Sequence, residues 1–289
     1  MSSSTIISLT FASQQVAIYG GLFVFILGII GNPLTLFVFV SLRTFRASSC
    51  AFYLTILSFL NIFNLFTGPF TFILSNGFSI NWTNTSLFYC KFRSFCLQFF
   101  LLTSLSCMCL AVIDQFLATC TDPRWHQWNN IKLARRLIIG AALAISLYGI
   151  PFLLYYNHVP SSVTGGFTCM ITNPSFQMYY TLFHLPFLGI GLPVLVMVIF
   201  GMLAYRNVRQ IAYRTVPLVR RELDKQLTTM VLIQVICDAI VLAPVAIFNL
   251  FNTIHIKSGD QVFEVQLNLI RNIIAVPYYV HFVVSLNSV

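Results

Sequence analysis

Charge is what this sequence has least of. Of 289 residues only 8% are Asp, Glu, Lys or Arg, where an ordinary soluble domain carries roughly a quarter. Acids are scarcest, 7 against 16 Lys and Arg. Other absences exclude function classes. There is no Gly-rich phosphate loop, no Gly-x-Ser-x-Gly elbow and no paired metal ligands, so hydrolysis lacks its nucleophile or its metal. Neither an internal repeat nor a matched pair of interrupted apolar segments is present, and those are the marks of many transporters. No Lys or Arg precedes the first apolar run, and that run is too long for a secretory signal, so it reads as a retained span.

Long apolar runs fill the space that charge leaves. Hydrophobic residues make up 58% of the chain. Seven stretches, residues 16–42, 49–74, 88–119, 137–156, 176–204, 226–252 and 268–289, each reach the roughly 20 residues a helix needs to cross the hydrocarbon core. Strands of a membrane barrel would alternate over segments of about 10 residues, and these runs are continuous. The fold class is therefore an all-α membrane protein, a seven-transmembrane helix bundle, with residues 1–15 a short tail and 16–289 the bundle. No soluble domain remains.

Basic residues set the orientation. Arg43 and Arg46, then Arg124, Lys132, Arg135 and Arg136, then Arg206, Arg209, Arg214, Arg220, Arg221 and Lys225 follow spans one, three and five. The alternate loops hold only Lys91, Arg93, Lys257 and Arg271. The positive-inside rule places the N-terminus outside, which makes 1–15 an extracellular tail. Two acceptor tripeptides for glycosylation, beginning at Asn81 and Asn84, fall on the same outer side. The net charge of +9 faces the anionic inner leaflet and calls for no nucleic acid. The expected location is the plasma membrane, with the bilayer itself as a partner.

Eight cysteines add a constraint. Cys90, at the outer start of span three, and Cys169, in the outer loop after span four, both face the oxidising side, which predicts a disulfide that pins the loop over the bundle. Cys96 is the only nearby rival for Cys169. Cys107, Cys109 and Cys237 lie within spans and read as small buried hydrophobes. Cys50 and Cys120 lie near the inner face without metal-site spacing.

Gly31-Asn32, the segment LTILSFLN ending at Asn61, Cys90, Asp114, Pro151, Pro193 and Pro244 resemble the landmarks of rhodopsin-like (class A) G-protein-coupled receptors, and the intervals agree: Asn61 follows Asn32 by 29 residues and Gln115 follows Cys90 by 25. The chain looks most similar to divergent, peptide-receptor-like invertebrate branches. The resemblance implies a non-enzymatic receptor without cofactor or metal, whose partners are an extracellular ligand and a heterotrimeric G protein. A non-signalling or decoy receptor is the alternative, ahead of a transporter or channel.

Departures from the family pattern refine that expectation. Asn61 stands where the family has a sodium-holding Asp. Asp114-Gln115-Phe116 replaces Asp-Arg-Tyr, Val241-Leu242-Ala243-Pro244 replaces Cys-Trp-x-Pro, and residues 284–288 replace Asn-Pro-x-x-Tyr. The helix and tail expected after span seven do not follow before Val289, which would suit a fragment or a degenerate copy. Leu97 occupies the position of an amine receptor's Asp, and residues 268–289 contain no Lys for retinal. A peptide is the expected ligand, met by Gln98, Phe99, His184, Tyr278 and Tyr279; Phe70, Phe72, Gln261, Asn268 and Arg271 also lie in the outer halves, and lipid contact or interhelical packing is the alternative for each. Asp238, costly in lipid and so inward-facing, is expected to form a polar cluster with Asn61 and Asn32 that partly replaces the sodium site, or to stay protonated alone, with His281 either a partner or, as the favoured reading, a satisfied interior histidine. Asp114 is expected at the headgroups, in reach of water and basic loops. Arg220 and Arg221 join Asp114, Gln115 and Phe116 as expected G-protein and activation residues, and the uncharged Gln115 predicts weak coupling.

Overall fold

A computed structural model describes residues 2–42, 48–120, 123–160, 166–211, 218–254 and 261–283. Ser2–Gln15, Val16–Gly20 and Gly21–Ser41 run on as one helix, α1. Then come α2 (Ser49–Gly77), α3 (Leu87–Thr119), α4 (Ile131–Tyr155) and α5 (Pro174–Arg209), followed by α6 (Leu218–Ile254) and α7 (Gln261–Val280). A two-stranded antiparallel hairpin, β1 (Tyr156–Pro160) and β2 (Phe167–Ile171), joins α4 to α5. The architecture is an all-α seven-helix membrane bundle. Below, its two faces are the hairpin end and the Asp114 end.

Local sequence sets where several helices begin. Ser48, Ser86, Asn130 and Asn173 accept from the backbone N–H of Ala51, Tyr89, Lys132 and Phe176 and so cap α2, α3, α4 and α5. Each short polar side chain fills one donor that the first turn leaves open. Pro174 at the start of α5 fits there because its missing N–H has no partner to lose. Prolines deeper in the helices accompany wider, π-type turns at Phe66–Phe70 and Tyr180–Gly191, where Pro69 and Pro186 break the i→i−4 ladder.

Two boundaries differ from the sequence reading. Residues 2–15, read as a tail, are helical and continue into α1. Span seven, expected at 268–289, begins seven residues earlier as a helix over Gln261–Val280 and gives way to a turn at 281–283, with 284–289 outside the described residues. The first half of α7 carries Glu264, Gln266, Asn268 and Arg271, all exposed, among apolar neighbours. A search for apolar density slides past such an amphipathic stretch. For the same reason, six helices among the described residues, α1 to α6, are long and apolar enough to cross a membrane by composition alone.

The burial pattern is that of a bundle in lipid. Large apolar side chains such as Phe37 and Leu147 are exposed on the perimeter, while polar Asn32, Asn61, Ser104 and Asp238 are fully enclosed. Helix α3 is the central element, packed against α2, α4, α5 and α6; 56% of the most apolar stretch of α2 and half of that of α3 are buried, against 17% for α4 at the rim. Leu57, Met108, Met197 and Leu227 form the fully buried core of the Asp114 half, and Leu105, Ile190 and Leu242 that of the hairpin half.

Helices α1 and α2 approach closely at Gly28, where a Cβ would lie 2.7 Å from both methyls of the buried Leu65. Glycine is required there by space. At Gly140 on α4 a Cβ would meet nothing within 4 Å. Gly28→Ala is expected to lower stability by about 1–3 kcal/mol through overpacking. Gly140→Ala should leave it unchanged or raise it, because alanine is the better helix former. Thermal unfolding in lipid nanodiscs checks both; an equal midpoint for the two variants would exclude the packing argument.

Candidate functional site

The hairpin end is built on α3. Cys90, in its first turn, is bonded to Cys169 of β2 with Cα atoms 5.8 Å apart. His158 of β1 lies opposite Cys169 in the hairpin register. Two further contacts fix the hairpin on the short helical turn before α3. The Cys169 N–H donates to Asn84 Oδ1 at 3.1 Å, and the His158 Nε2 is 2.8 Å from the Thr83 carbonyl. Asn81 is exposed, whereas Asn84 is half-buried with its amide oxygen engaged.

Beneath this lid lies a cavity of about 110 Å³ whose walls include Arg93, Leu97 and Gln98 of α3, Phe152 of α4, Tyr156 of β1 and Tyr180 of α5. Arg93 is held against α2: its Nε donates to the Thr67 carbonyl at 3.1 Å and to Thr71 Oγ1 at 3.0 Å, and one Nη donates to the same hydroxyl at 2.8 Å. Sequence reasoning counted Arg93 only as an outer positive charge. Its place four residues before the position of an amine receptor's ligand acid, with no acid among its neighbours, would have been a faint signal at most.

Of the five expected ligand residues, only Gln98 lines this chamber. Phe99 stacks on Phe95 at 6.1 Å and meets Phe100 edge-on. His184 is buried in the α4–α5 interface, bonded through Nδ1 to the Tyr148 hydroxyl, which also meets the Tyr179 hydroxyl at 2.9 Å. Its ring lies stacked against Tyr148 and Tyr180. The role of His184 here is an interhelical tie, since an aromatic ring with a polar tip satisfies both neighbours at once. Tyr278 packs on the Leu105, Ile190 and Leu242 cluster, and Tyr279 lies against Phe72 and beside Gly68. Both tyrosines border the interior from α7.

Deeper in the bundle, the three residues expected to cluster take different partners. Asp238 Oδ1 of α6 is 2.7 Å from His281 Nδ1, and both side chains are wholly enclosed. Asn32 of α1 donates to the carbonyls of Gly28 and Phe282. Asn61 of α2 accepts from the Ser104 hydroxyl of α3 at 2.7 Å. His281 is thus the partner of Asp238, the less favoured of its two expected roles, and neighbouring Phe282 is the partner of Asn32. The turn after α7 is held from two sides, by α6 and by α1. A sodium ion fits this set poorly. The Asn61 oxygen is taken by Ser104, its Nδ2 is an unpartnered buried donor, and the remaining anionic oxygen is Asp238 Oδ2. Among the described residues no three His, Cys, Asp or Glu side chains are grouped for a metal.

At the opposite end, Asp114 is 6% exposed and Gln115 1%. The acid expected at the headgroups is enclosed by the bundle, within electrostatic reach of Tyr53 on α2. Gln115 Oε1 accepts from the Thr228 hydroxyl of α6 at 3.0 Å. A neutral hydrogen bond therefore joins α3 to α6, and Phe116 meets Phe200 of α5 edge-on at 5.6 Å. The side chains of Arg220 and Arg221 lie outside the described residues, as does Arg214.

Two outcomes are expected from these contacts. Cys90→Ser should cost on the order of 2–5 kcal/mol and release the hairpin, seen as a lower unfolding midpoint and as Cys169 becoming alkylatable; alkylation of both thiols in the untreated wild type would exclude the bond. Asp238→Ala should cost about 1–5 kcal/mol because it leaves a buried histidine nitrogen without its partner, and Asp238→Asn, which keeps an amide oxygen, should cost less. Equal losses in the two variants would mean that the hydrogen bond contributes nothing.

No curated protein matches the chain. The family model described as 7 transmembrane receptor (rhodopsin family) matches residues 31–285. With that match over nearly the whole bundle, seven helices in order and the Cys90–Cys169 bridge, the chain belongs to the rhodopsin family of seven-transmembrane receptors.

Proposed function

We propose that the protein is a plasma-membrane receptor with its hairpin end outside, which binds an extracellular ligand, a peptide in class, and signals weakly to a heterotrimeric G protein. The observation that carries this reading is the course of α3. One helix lines the chamber under the hairpin with Arg93 and Gln98 and, at its far end, holds Gln115 in a hydrogen bond to α6. A ligand that shifts α3 or its neighbours at one end alters what restrains α6 at the other. The cavity, about 110 Å³, is smaller than the roughly 300–1,000 Å³ of a typical small-molecule site and suits one end group of a larger ligand such as a peptide. The distribution of Arg and Lys along the sequence supports the orientation, and the same logic offers Asn81 and Asn84 as glycosylation sites. Arg206 and Arg209, exposed at the Asp114 end, supply a basic surface for an acidic partner, with Arg220 and Arg221 further along the chain.

The Gln115–Thr228 bond gives the reading its test. A neutral hydrogen bond contributes about 0.5–1.5 kcal/mol, roughly a twofold to tenfold bias toward the resting arrangement. Thr228→Val removes the donor at constant shape and is expected to raise basal nucleotide exchange by that factor. Gln115→Arg removes the acceptor as well and restores the charge the family uses toward the G protein, so it should raise agonist-stimulated exchange further while leaving ligand affinity little changed. Exchange is measured at matched surface levels across the G-protein classes. Should neither variant nor wild type drive exchange on any class, signalling is excluded and the decoy reading takes its place.

A further inference from the structure

The chamber beneath the hairpin is lined by donors and by no acid. Among the described residues, no Asp or Glu is part of its wall. Arg93 is half-buried there, and its bonds to Thr67 and Thr71 use Nε and one Nη; among the described residues the other Nη has no partner. Among those residues Arg93 takes part in no ion pair. A partly desolvated guanidinium without a countercharge is costly, and Arg is the side chain whose planar fork best matches a carboxylate.

Gln98 makes a second, independent observation. It is 3% exposed, lines the same chamber one turn deeper, and its Nε2 is a buried donor with no partner. Buried amide donors are nearly always satisfied, so an orphan facing a cavity marks a missing acceptor. The hydroxyls of Tyr156 and Tyr180 complete the wall, both within electrostatic reach of Arg93. Burial pushes the Tyr156 phenol up, more than Arg93 pulls it back, so it remains a neutral O–H donor. Against these donors stand the apolar faces of Leu97 and Phe152.

We propose that this chamber selects a ligand bearing a carboxylate, with the anion seated between the free Nη of Arg93 and the Nε2 of Gln98 and an apolar or aromatic body against Leu97 and Phe152. The inference rests on the chamber being the ligand site and adds the ligand's charge. Thr71 acts as a positioning residue, since it holds the guanidinium plane on α2 and leaves the far edge open. The same chemistry serves an acid of small size or the free C-terminus of a peptide.

The test uses the full chain in lipid nanodiscs and probes that differ only in the headgroup. One set is 4-phenylbutyrate, its methyl ester and 4-phenylbutylamine. The other is N-acetyl-phenylalanyl-phenylalanine and its C-terminal amide. Binding is read by calorimetric titration and thermal stabilisation. The acid of at least one set is expected to bind on the order of tenfold tighter than its neutral counterpart, with the amine weakest; preference in the dipeptide set alone identifies a peptide C-terminus as the source. Arg93→Gln should abolish the preference, Arg93→Lys should keep part of it, and Gln98→Leu should reduce it. The wild-type headgroup comparison stands on its own if an Arg93 variant fails to fold. Equal binding of acid and neutral forms, no acid-selective binding at millimolar probe, or an unchanged preference in a folded Arg93→Gln overturns the proposal. Nucleotide exchange on the same samples separates the two readings: acid-selective binding without exchange retains the anion site and excludes signalling, whereas ligand-driven exchange without acid preference retains the receptor and excludes the anion site.

Discussion

Hydrocarbon offers no partner to a polar group, and the interior of this bundle is arranged around that constraint. Helices satisfy their own backbones. Hydroxyl side chains follow the same economy: Thr35, Ser58, Thr103 and Ser106 each donate to the carbonyl four residues earlier. Asn32 reaches back to Gly28 and across to Phe282. Asp238, the one acid deep in a span, is matched with His281 and has no contact with lipid. Because such groups have so few alternatives, each pairing also fixes how two helices sit together. Asn61 with Ser104 joins α2 to α3, Asp238 with His281 joins α6 to the end of α7, and His184 with Tyr148 joins α5 to α4.

Helix α3 carries this logic from one end to the other. It begins under the disulfide-anchored hairpin, passes the chamber at Arg93 and Gln98, meets α2 at Ser104, and ends with Gln115 bonded to α6. At 33 residues it is about 50 Å long, well beyond the roughly 30 Å hydrocarbon core, so it reaches both interfaces. Where the family pattern has an ion pair near the Asp114 end, this chain uses amide and hydroxyl. A neutral bond is weaker than a desolvated charge pair and does not fade with salt. The tie between α3 and α6 is correspondingly modest, and its strength depends on burial of Gln115 more than on ionic strength.

Polar groups that stay unpaired are informative for the same reason. The Asn61 Nδ2 and the Asp238 Oδ2 face the interior where the family pattern places a sodium site, but their mixed donor and acceptor character suits no single ion. In the hairpin half the polar side chains around the chamber are mainly donors, with the Gln98 Nε2 unpaired. Arg93, Gln98 and Tyr156 all present donors to a common space, and the lid that covers them is held by a covalent bond and two hydrogen bonds. A uniform set of donors specifies a partner in a way that a mixed set does not.

The number of spans and their approximate limits were legible in the sequence, because a run of twenty apolar residues has no other stable environment. The bridge from Cys90 to Cys169 was legible too, since few cysteines share that side of the bundle. The family landmarks, and the departures from them at Asn61 and Gln115, are plain in the letters. Other features were decided by tertiary structure alone. The hairpin over 156–171 depends on pairing between two short segments, neither of which alternates strongly. Helix α7 starts early because Glu264, Asn268 and Arg271 share one face, and only its neighbours determine which face is inside. His184 as an interhelical tie, His281 as the partner of Asp238 and Arg93 as a chamber wall all depend on the rotation of one helix against another. Apolar content determines whether a segment enters the membrane; which of its side chains meet is set by the packing of seven helices at once, and no single segment contains that information.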